Sequence, residues 1–253
     1  MRSGTDLPGP AATSWATRTA KRSIDIVGSA AGLTLLLPFL IAIAFMIKLD
    51  SPGPVLFRQQ RVGRNGRPFR IFKFRSMVSD ASRAGRALTV RADPRITRIG
   101  AFLRRTKLDE LPQLLNVLVG DMSIVGPRPE VPEFMHFYTP EQRAIMISMR
   151  PGLTDYAAIL FRDESSLLDR ERNPIDVYRY EIMPLKFAHY ERYSHEIGVF
   201  NDLRIVLATI LLLILGRAPS WFGVECEPRL PILRGDGCDA DRKPSAGALH
   251  FDR

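Results

Sequence analysis

Asp109 and Glu110 stand side by side in a stretch otherwise rich in positive charge and turns. Arg104, Arg105 and Lys107 precede them. Gly120-Asp121-Met122-Ser123 and Gly126-Pro127-Arg128-Pro129-Glu130 follow. Two acids ringed by cations beside Gly/Pro turns fit phosphate chemistry: one acid attacks phosphorus while the other holds a divalent ion or positions a group. Magnesium bound through one or two carboxylates plus substrate phosphates is the usual arrangement, so Mg2+ is the expected cofactor and Asp109 and Glu110 its expected ligands. A nucleophilic carboxylate must be ionised, and a neighbouring acid raises its pKa. Arg104 and Lys107 are the sequence-local cations that offset this. Read on its own, the pair also fits a helix cap followed by a solvated first-turn acid.

The elements that must position these residues are partly visible. Thr106 and Asp109 have the spacing of a capping box, and Pro112 is best tolerated in a first turn, which predicts a helix from near Thr106 to Val119. Its N-terminus would offer backbone donors to a diphosphate. Adjacent helical residues point about a hundred degrees apart, which gives Asp109 and Glu110 different roles. Upstream, Val55–Phe57 and Phe69–Phe74 read as strands of a hairpin turned at Gly63-Arg64-Asn65-Gly66. Alternation puts Phe72 and Phe74 on one face and Lys73 and Arg75 on the other, a basic face either solvated or lining a cleft. Ile96, Ile99, Phe102 and Leu103 recur at helical spacing among arginines, as in an interfacial helix or an ordinary surface helix.

Residues 78 to 93 read as a loop, as does the proline-rich stretch from Gly126 to Glu133. Glu141 to Met149 reads as a helix stopped by Pro151-Gly152. Tyr178 to Tyr193 is aromatic and charged, and is broken by Pro184. Leu203 to Leu215 is an apolar run too short to span a bilayer, which packs on the domain or lies at an interface.

Ile26 to Ile47 is free of charge and long enough for a bilayer core. Its length and the polar residues before it do not fit a cleaved signal peptide. Lys21 and Arg22 precede the run, and Lys48, Arg58, Arg61 and Arg64 follow it. Basic flanks at both ends place both in the cytoplasm, and Pro38 near the middle bends the helix. These residues accommodate a re-entrant helix or a single span with a tolerated proline.

At 253 residues the chain has room for one domain with a core plus a membrane element. A formal charge of +9 calls for an anionic partner: nucleic acid, anionic lipid or a phosphorylated metabolite. Cys226 and Cys238 form neither a disulfide framework nor a zinc pattern, and the four histidines are scattered.

Lys107-Leu108-Asp109-Glu110-Leu111-Pro112-Gln113, Gly120-Asp121-Met122-Ser123 and Gly126-Pro127-Arg128-Pro129 together resemble the signature of the bacterial monotopic phosphoglycosyltransferases, sugar transferases acting on polyprenyl phosphate. The resemblance extends back to Lys21-Arg22-Ser23-Ile24-Asp25 and forward through Arg150-Pro151-Gly152-Leu153-Thr154 to about Arg204. It implies a predominantly helical α+β fold with a re-entrant membrane helix at 21–50 and a small interfacial cytoplasmic domain at 51–215, while the polar, Pro/Gly-containing compositions of 1–20 and 216–253 read as a disordered N-terminus and a disordered tail. It implies Asp109 as nucleophile and Glu110 as its partner acid in a Mg2+-dependent site. Lys73, Arg75, Arg104, Arg128 and Arg162 are the implied substrate-binding cations. Asp155-Tyr156-Ala157-Ala158 departs from the Gly-Trp-Ala-Gln common in that family, and Arg162-Asp163-Glu164 departs from its Gly-Arg-Asn.

The implied reaction passes a sugar 1-phosphate from a UDP-sugar to polyprenyl phosphate, releasing UMP through a covalent aspartyl-phosphosugar. It would initiate a surface glycan at the cytoplasmic face of the bacterial inner membrane. Anionic lipids and downstream glycosyltransferases are expected partners, and nucleic acid is not. The alternatives are a membrane-anchored metal-dependent phosphohydrolase or nuclease, and a basic nucleic-acid-binding protein, whose binding would fall steeply with salt.

Overall fold

The computed structural model describes residues 14–78, 88–89, 93–168 and 173–222. Most of the loop expected at 78–93, the first thirteen residues and the tail from 223 lie outside it. The described chain is mostly helical, with two small two-stranded sheets.

Helix α1 runs unbroken from Trp15 to Asp50, starting six residues before the expected membrane segment. Ser14 caps it, its side chain accepting from the Thr17 amide at 3.1 Å. At 36 residues it is about 54 Å long. Among the described helices it is the one long and apolar enough to cross a membrane. Its buried residues are Asp25, Ser29, Ile43 and Ile47, while Leu35 is 81% exposed and Val27, Ile41, Phe45 and Leu49 are also open.

Both halves of α1 hold the same domain. Near its start, Lys21 donates to the Val125 carbonyl at 2.9 Å and pairs with Asp202. Arg22 donates to the Val117 and Leu118 carbonyls at 2.7 and 2.9 Å. Asp25 Oδ1 accepts from the Ser123 hydroxyl at 3.1 Å and the Ile124 amide at 2.9 Å. Near its end, Ile43 and Ile47 pack with Phe74 and Leu103.

The hairpin forms as its alternation and turn predict. Strands β1 (Leu56–Val62) and β2 (Pro68–Phe74) pair antiparallel from Leu56 opposite Phe74 to Val62 opposite Pro68. Asn65 and Gly66, at φ 56° and 73°, make the reversal. Neither face is left to solvent: Phe74 meets α1, and Ile71 packs on Val117 and Met122.

Helix α2 (Arg98–Thr106) begins at Thr97, whose hydroxyl accepts from the Gly100 amide at 3.0 Å. The single helix expected from Thr106 to Val119 does not form. Thr106 ends α2, its hydroxyl donating back to the Phe102 carbonyl at 2.8 Å. Lys107 then turns left-handed at φ 59°, a 3₁₀ segment spans Leu108–Gln113, and α3 covers Leu114–Val119. The left-handed residue stops hydrogen bonding from passing between the helices.

Beyond α3, strand β3 (Ser123–Val125), helix α4 (Pro140–Ser148), strand β4 (Gly152–Thr154) and helix α5 (Tyr156–Leu160) follow. β3 and β4 are parallel, with Ser123 opposite Gly152 and Val125 opposite Thr154. Their ends approach so closely that a Cβ on Gly152 would lie 2.1 Å from the Gly126 nitrogen. Only glycine allows that contact.

Short helices α6 (Glu164–Leu167) and α7 (Pro174–Val177) lead to α8 (Met183–His195) and α9 (Val199–Leu215). Pro184 does not break the aromatic segment. It sits in the first turn of α8, after a wide π turn at Tyr178–Ile182, where its missing N–H costs little. In α9, Ile205, Ala208 and Leu212 are buried, whereas Leu203, Leu207, Ile210 and Ile214 are exposed. Packing continues past α9. Ser220–Phe222 form a further turn, Phe222 enters the core, and Arg204 donates to the Trp221 and Phe222 carbonyls at 2.9 and 2.8 Å.

Candidate active site

Asp109 and Glu110 lie in the 3₁₀ segment against β2, both buried. The positive charge around them comes from side chains rather than from an α-helix N-terminus. Lys73, on the inward face of β2, donates to Glu110 Oε1 at 2.7 Å and stands 3.8 Å from Asp109 Oδ2. Arg128 grips Glu110 at both oxygens, Nη2 to Oε1 at 2.6 Å and Nη1 to Oε2 at 3.1 Å. Asp109 Oδ1 is buried and has no hydrogen-bond partner among the described residues.

The adjacent acids are thereby pulled apart in character. Burial alone would raise the Glu110 carboxyl, but Arg128 and Lys73 hold it well below the usual carboxylate range. Burial pushes the Asp109 carboxyl up; Lys73 opposes this and the Glu110 charge adds to it. Burial also lowers the Lys107 ammonium, with Glu110 pulling the other way. Arg104 stands within electrostatic reach of Asp109, its Nη1 at a long 3.5 Å from the Ser76 hydroxyl.

The loop carrying Arg128 is fixed from behind. Arg61 donates to the Pro129 carbonyl at 3.0 Å, and the Val62 amide to the Glu130 carbonyl at 3.0 Å. The buried Glu130 carboxylate accepts from the Tyr178 hydroxyl at 2.8 Å, the Tyr138 hydroxyl at 3.3 Å and the Val131 amide at 3.0 Å. Arg128 keeps a side-chain exposure of 33%, so the held guanidinium still reaches solvent.

Of the seven predicted residues, Asp109, Glu110, Lys73 and Arg128 converge, and Arg104 stands beside them. Arg75 and Arg162 are placed elsewhere. Arg75, last on the basic face of the hairpin, turns to the end of α1 and donates to the Pro52 and Ser51 carbonyls at 2.7 and 2.6 Å. Carbonyls at a helix terminus lack intrahelical partners, and a nearby guanidinium can satisfy them. Arg162 donates to the Leu212 carbonyl of α9 at 3.1 Å, and among the described residues no contact joins it to the acids. Sequence reasoning missed Glu164 and Lys186, an ion pair at 3.0 Å within electrostatic reach of Arg128. A pair 22 residues apart carries no local spacing signal.

Among the described residues no group of three or more acidic, histidine or cysteine side chains forms a metal site. The residues do fit a magnesium ion that takes most of its ligands from substrate phosphates and water, because Asp109 Oδ1 is an unpartnered carboxylate oxygen. Glu110 could join as a ligand only by exchanging one of its contacts with Arg128 or Lys73.

The family model for bacterial sugar transferases matches residues 16–216. The chain is 42% identical over 206 residues to the exopolysaccharide production protein PSS of Rhizobium leguminosarum bv. phaseoli, covering 76% of this chain and 93% of that protein. It is 39% identical over 196 residues to the UDP-glucose:undecaprenyl-phosphate glucose-1-phosphate transferase of Escherichia coli (strain K12), covering 76% of this chain and 40% of that one. It is 36% identical over 198 residues to the UDP-N-acetylgalactosamine-undecaprenyl-phosphate N-acetylgalactosaminephosphotransferase of Aeromonas hydrophila, covering 78% and 44%. The chain thus spans less than half the length of these two larger relatives. A match over most of the sequence, enclosing the cation-ringed acids, shows that the chain belongs to the bacterial sugar transferase family.

Proposed function

We propose that this protein transfers a sugar 1-phosphate from a UDP-sugar to undecaprenyl phosphate, initiating a surface polysaccharide. The observation that carries the reading is the buried, unpartnered Asp109 Oδ1 beside a Glu110 already tied to two cations. Asp109 attacks the sugar-bearing phosphorus through one carboxylate oxygen, which leaves the other for the magnesium. The bond to the UMP oxygen breaks and its electron pair leaves with UMP. An oxygen of the lipid phosphate then attacks the same phosphorus, the aspartyl–phosphorus bond breaks, and the carboxylate is restored.

Lys73, Arg104, Lys107 and Arg128 supply fixed positive charge where negative charge gathers in the transition state. Magnesium held by Asp109 with the donor diphosphate and water, and by Glu110 only where it exchanges one of its contacts with Arg128 or Lys73, would neutralise phosphate oxygens further. Glu110 keeps Lys73 and Arg128 in place and remains ionised while Asp109 acts.

The apolar surface of α1 supports membrane association, and the exposed apolar side of α9 extends it. Contacts from both halves of α1 to one domain support a re-entrant helix. Basic residues at both flanks support a cytoplasmic location on the bacterial inner membrane. Cysteines placed near residues 15 and 60 should be labelled from the same side of intact cells. Labelling from opposite sides would replace the re-entrant helix with a spanning one.

The reaction is tested by mixing purified protein with UDP-sugars and magnesium, with and without undecaprenyl phosphate. Donor alone should give UMP and an intact-protein mass increase of one phosphosugar, discharged by the lipid. UMP release that needs the lipid, with no adduct, would instead mean direct attack in a ternary complex.

A further inference from the structure

Because β3 and β4 are parallel, the chain leaves both at the same end. From β3 it enters the turn carrying Arg128, and from β4 it passes directly to Asp155. The Gly126 amide donates to the Thr154 carbonyl at 3.0 Å between them. Asp155 caps α5 with one oxygen, which accepts from the Ala158 amide at 2.8 Å. Its other oxygen is buried without a partner among the described residues, and the residue is 2% exposed. Helix α8 faces this end with Lys186 and Tyr190, one turn apart and both buried.

Lys186 Nζ donates to Glu164 Oε2 at 3.0 Å and lies 5.2 Å from the centre of the Tyr178 ring. The ammonium side chain is 7% exposed and the carboxylate 26%, so the acid is the member that opens to solvent. Burial would raise Glu164, but Lys186, then Arg128 and Lys107, hold it below its ordinary range. Asp155, pushed by burial up to about 6 against Lys186 and Arg128, flanks the same lysine. Lys186 thus bonds one acid and stands within electrostatic reach of the other, and Glu164 is an ionised carboxylate within electrostatic reach of Arg128 and Lys107, the cations expected to meet a diphosphate.

A carboxylate there would repel the donor unless another charge cancelled it, and Lys186 does so at contact distance. The resulting pair is neutral overall, and the partly exposed Glu164 side chain keeps Oε1, the oxygen that Lys186 does not bind, as an acceptor. It suits hydroxyl groups and disfavours a second anion. We infer that Glu164, held by Lys186, contacts the sugar ring of the donor and selects a neutral, hydroxyl-rich sugar over an anionic one. This rests on the donor being a UDP-sugar, as proposed above. The uridine ribose is the other source of hydroxyl groups within one donor molecule.

The test uses the full chain with undecaprenyl phosphate and compares UDP-glucose, UDP-galactose, UDP-N-acetylgalactosamine and UDP-glucuronic acid, scoring UMP formation and inhibition by added UMP. Wild type should favour a neutral donor. Glu164→Gln should lower kcat/KM for that donor by about tenfold or more, the size of one lost charge-assisted hydrogen bond. It should also narrow the gap to UDP-glucuronic acid and leave UMP inhibition unchanged. Glu164→Asp keeps the charge and should hold the neutral preference at a reduced rate.

An equal loss for every donor would assign the pair a purely structural role. Weakened UMP inhibition would assign it to the ribose, and a wild-type preference for UDP-glucuronic acid would reverse the proposed selection. Each of these overturns the subsite while transfer stands. If wild type releases UMP from no donor, the transfer reading falls and takes the subsite with it.

Discussion

Arg128 binds both oxygens of Glu110, at 2.6 and 3.1 Å, and so makes the neighbouring Asp109 the acid with an oxygen to spare. Two carboxylates next to each other in sequence acquire opposite characters because one guanidinium faces only one of them. Pairs of acids whose surroundings separate their pKa values are how acid and base roles are divided in a site.

Asp109→Asn should abolish both the phosphosugar adduct and turnover, yet stabilise the fold. Folding raises the Asp109 pKa, so the folded state binds its proton more tightly. The charged form therefore costs stability as pH rises above the unfolded value of about 3.9. Asn removes that cost. Each 1 kcal/mol gained would raise Tm by about 2–4 °C in a chain of this size. A melt at pH 7 checks this, and a lower Tm for the variant would contradict it.

Glu110 carries the opposite sign. Its folded pKa is depressed, so its contribution to stability is complete above the unfolded value of about 4.3 and disappears as pH falls through the folded value. Glu110→Gln should remove this acid sensitivity and also cost at least tenfold in kcat, because Lys73 and Arg128 lose the charge that holds them. Acid-unfolding curves of the two proteins should therefore converge at low pH.

The pH dependence of kcat/KM should rise along an acid limb whose midpoint lies above the ordinary aspartate value, following ionisation of the Asp109 carboxyl that burial raises. Lys73→Met removes the main opposing charge and should move that limb to still higher pH. A limb at an ordinary aspartate value in wild type would take the nucleophile role from this residue.

Ending the chain after Gly216 should destabilise the domain by about 1.5–3 kcal/mol, the cost of removing one buried aromatic side chain. Phe222 is that side chain. Ending it after Phe222 should leave transfer within a few-fold of the full chain. Parallel melts and UMP assays of the two truncations check both statements.

What was legible in the sequence depended on how far apart the cooperating residues lie. Lys73 and Arg128 were named by the family resemblance; strand alternation gave only the face that Lys73 shares with Arg75, and the prolines and glycine only the loop that carries Arg128. Arg75 shares the alternation of Lys73, yet the carbonyls at the end of α1 claim it. The capping-box spacing at Thr106 misled because Lys107 adopts a left-handed turn, which local propensity disfavours for a side chain of that kind. Strands β3 and β4 are three residues each, too short for a period to show. Their parallel pairing is nevertheless what sets Asp155 beside the Arg128 loop.

The grip of α1 on the domain also fixes an order of assembly. Lys21 and Asp25 are made early in synthesis, but their partners Ile124 and Asp202 emerge about 100 and 180 residues later. The apolar helix is made before the partners that it holds, an order that suits an anchor on which the domain then closes. A soluble form cut away after Asp50 would lose more than its tether. The Ile124 amide, Asp202 and the end of α3 would each be left without the residue that completes them, and detergent-free solubility would come at the expense of the native fold.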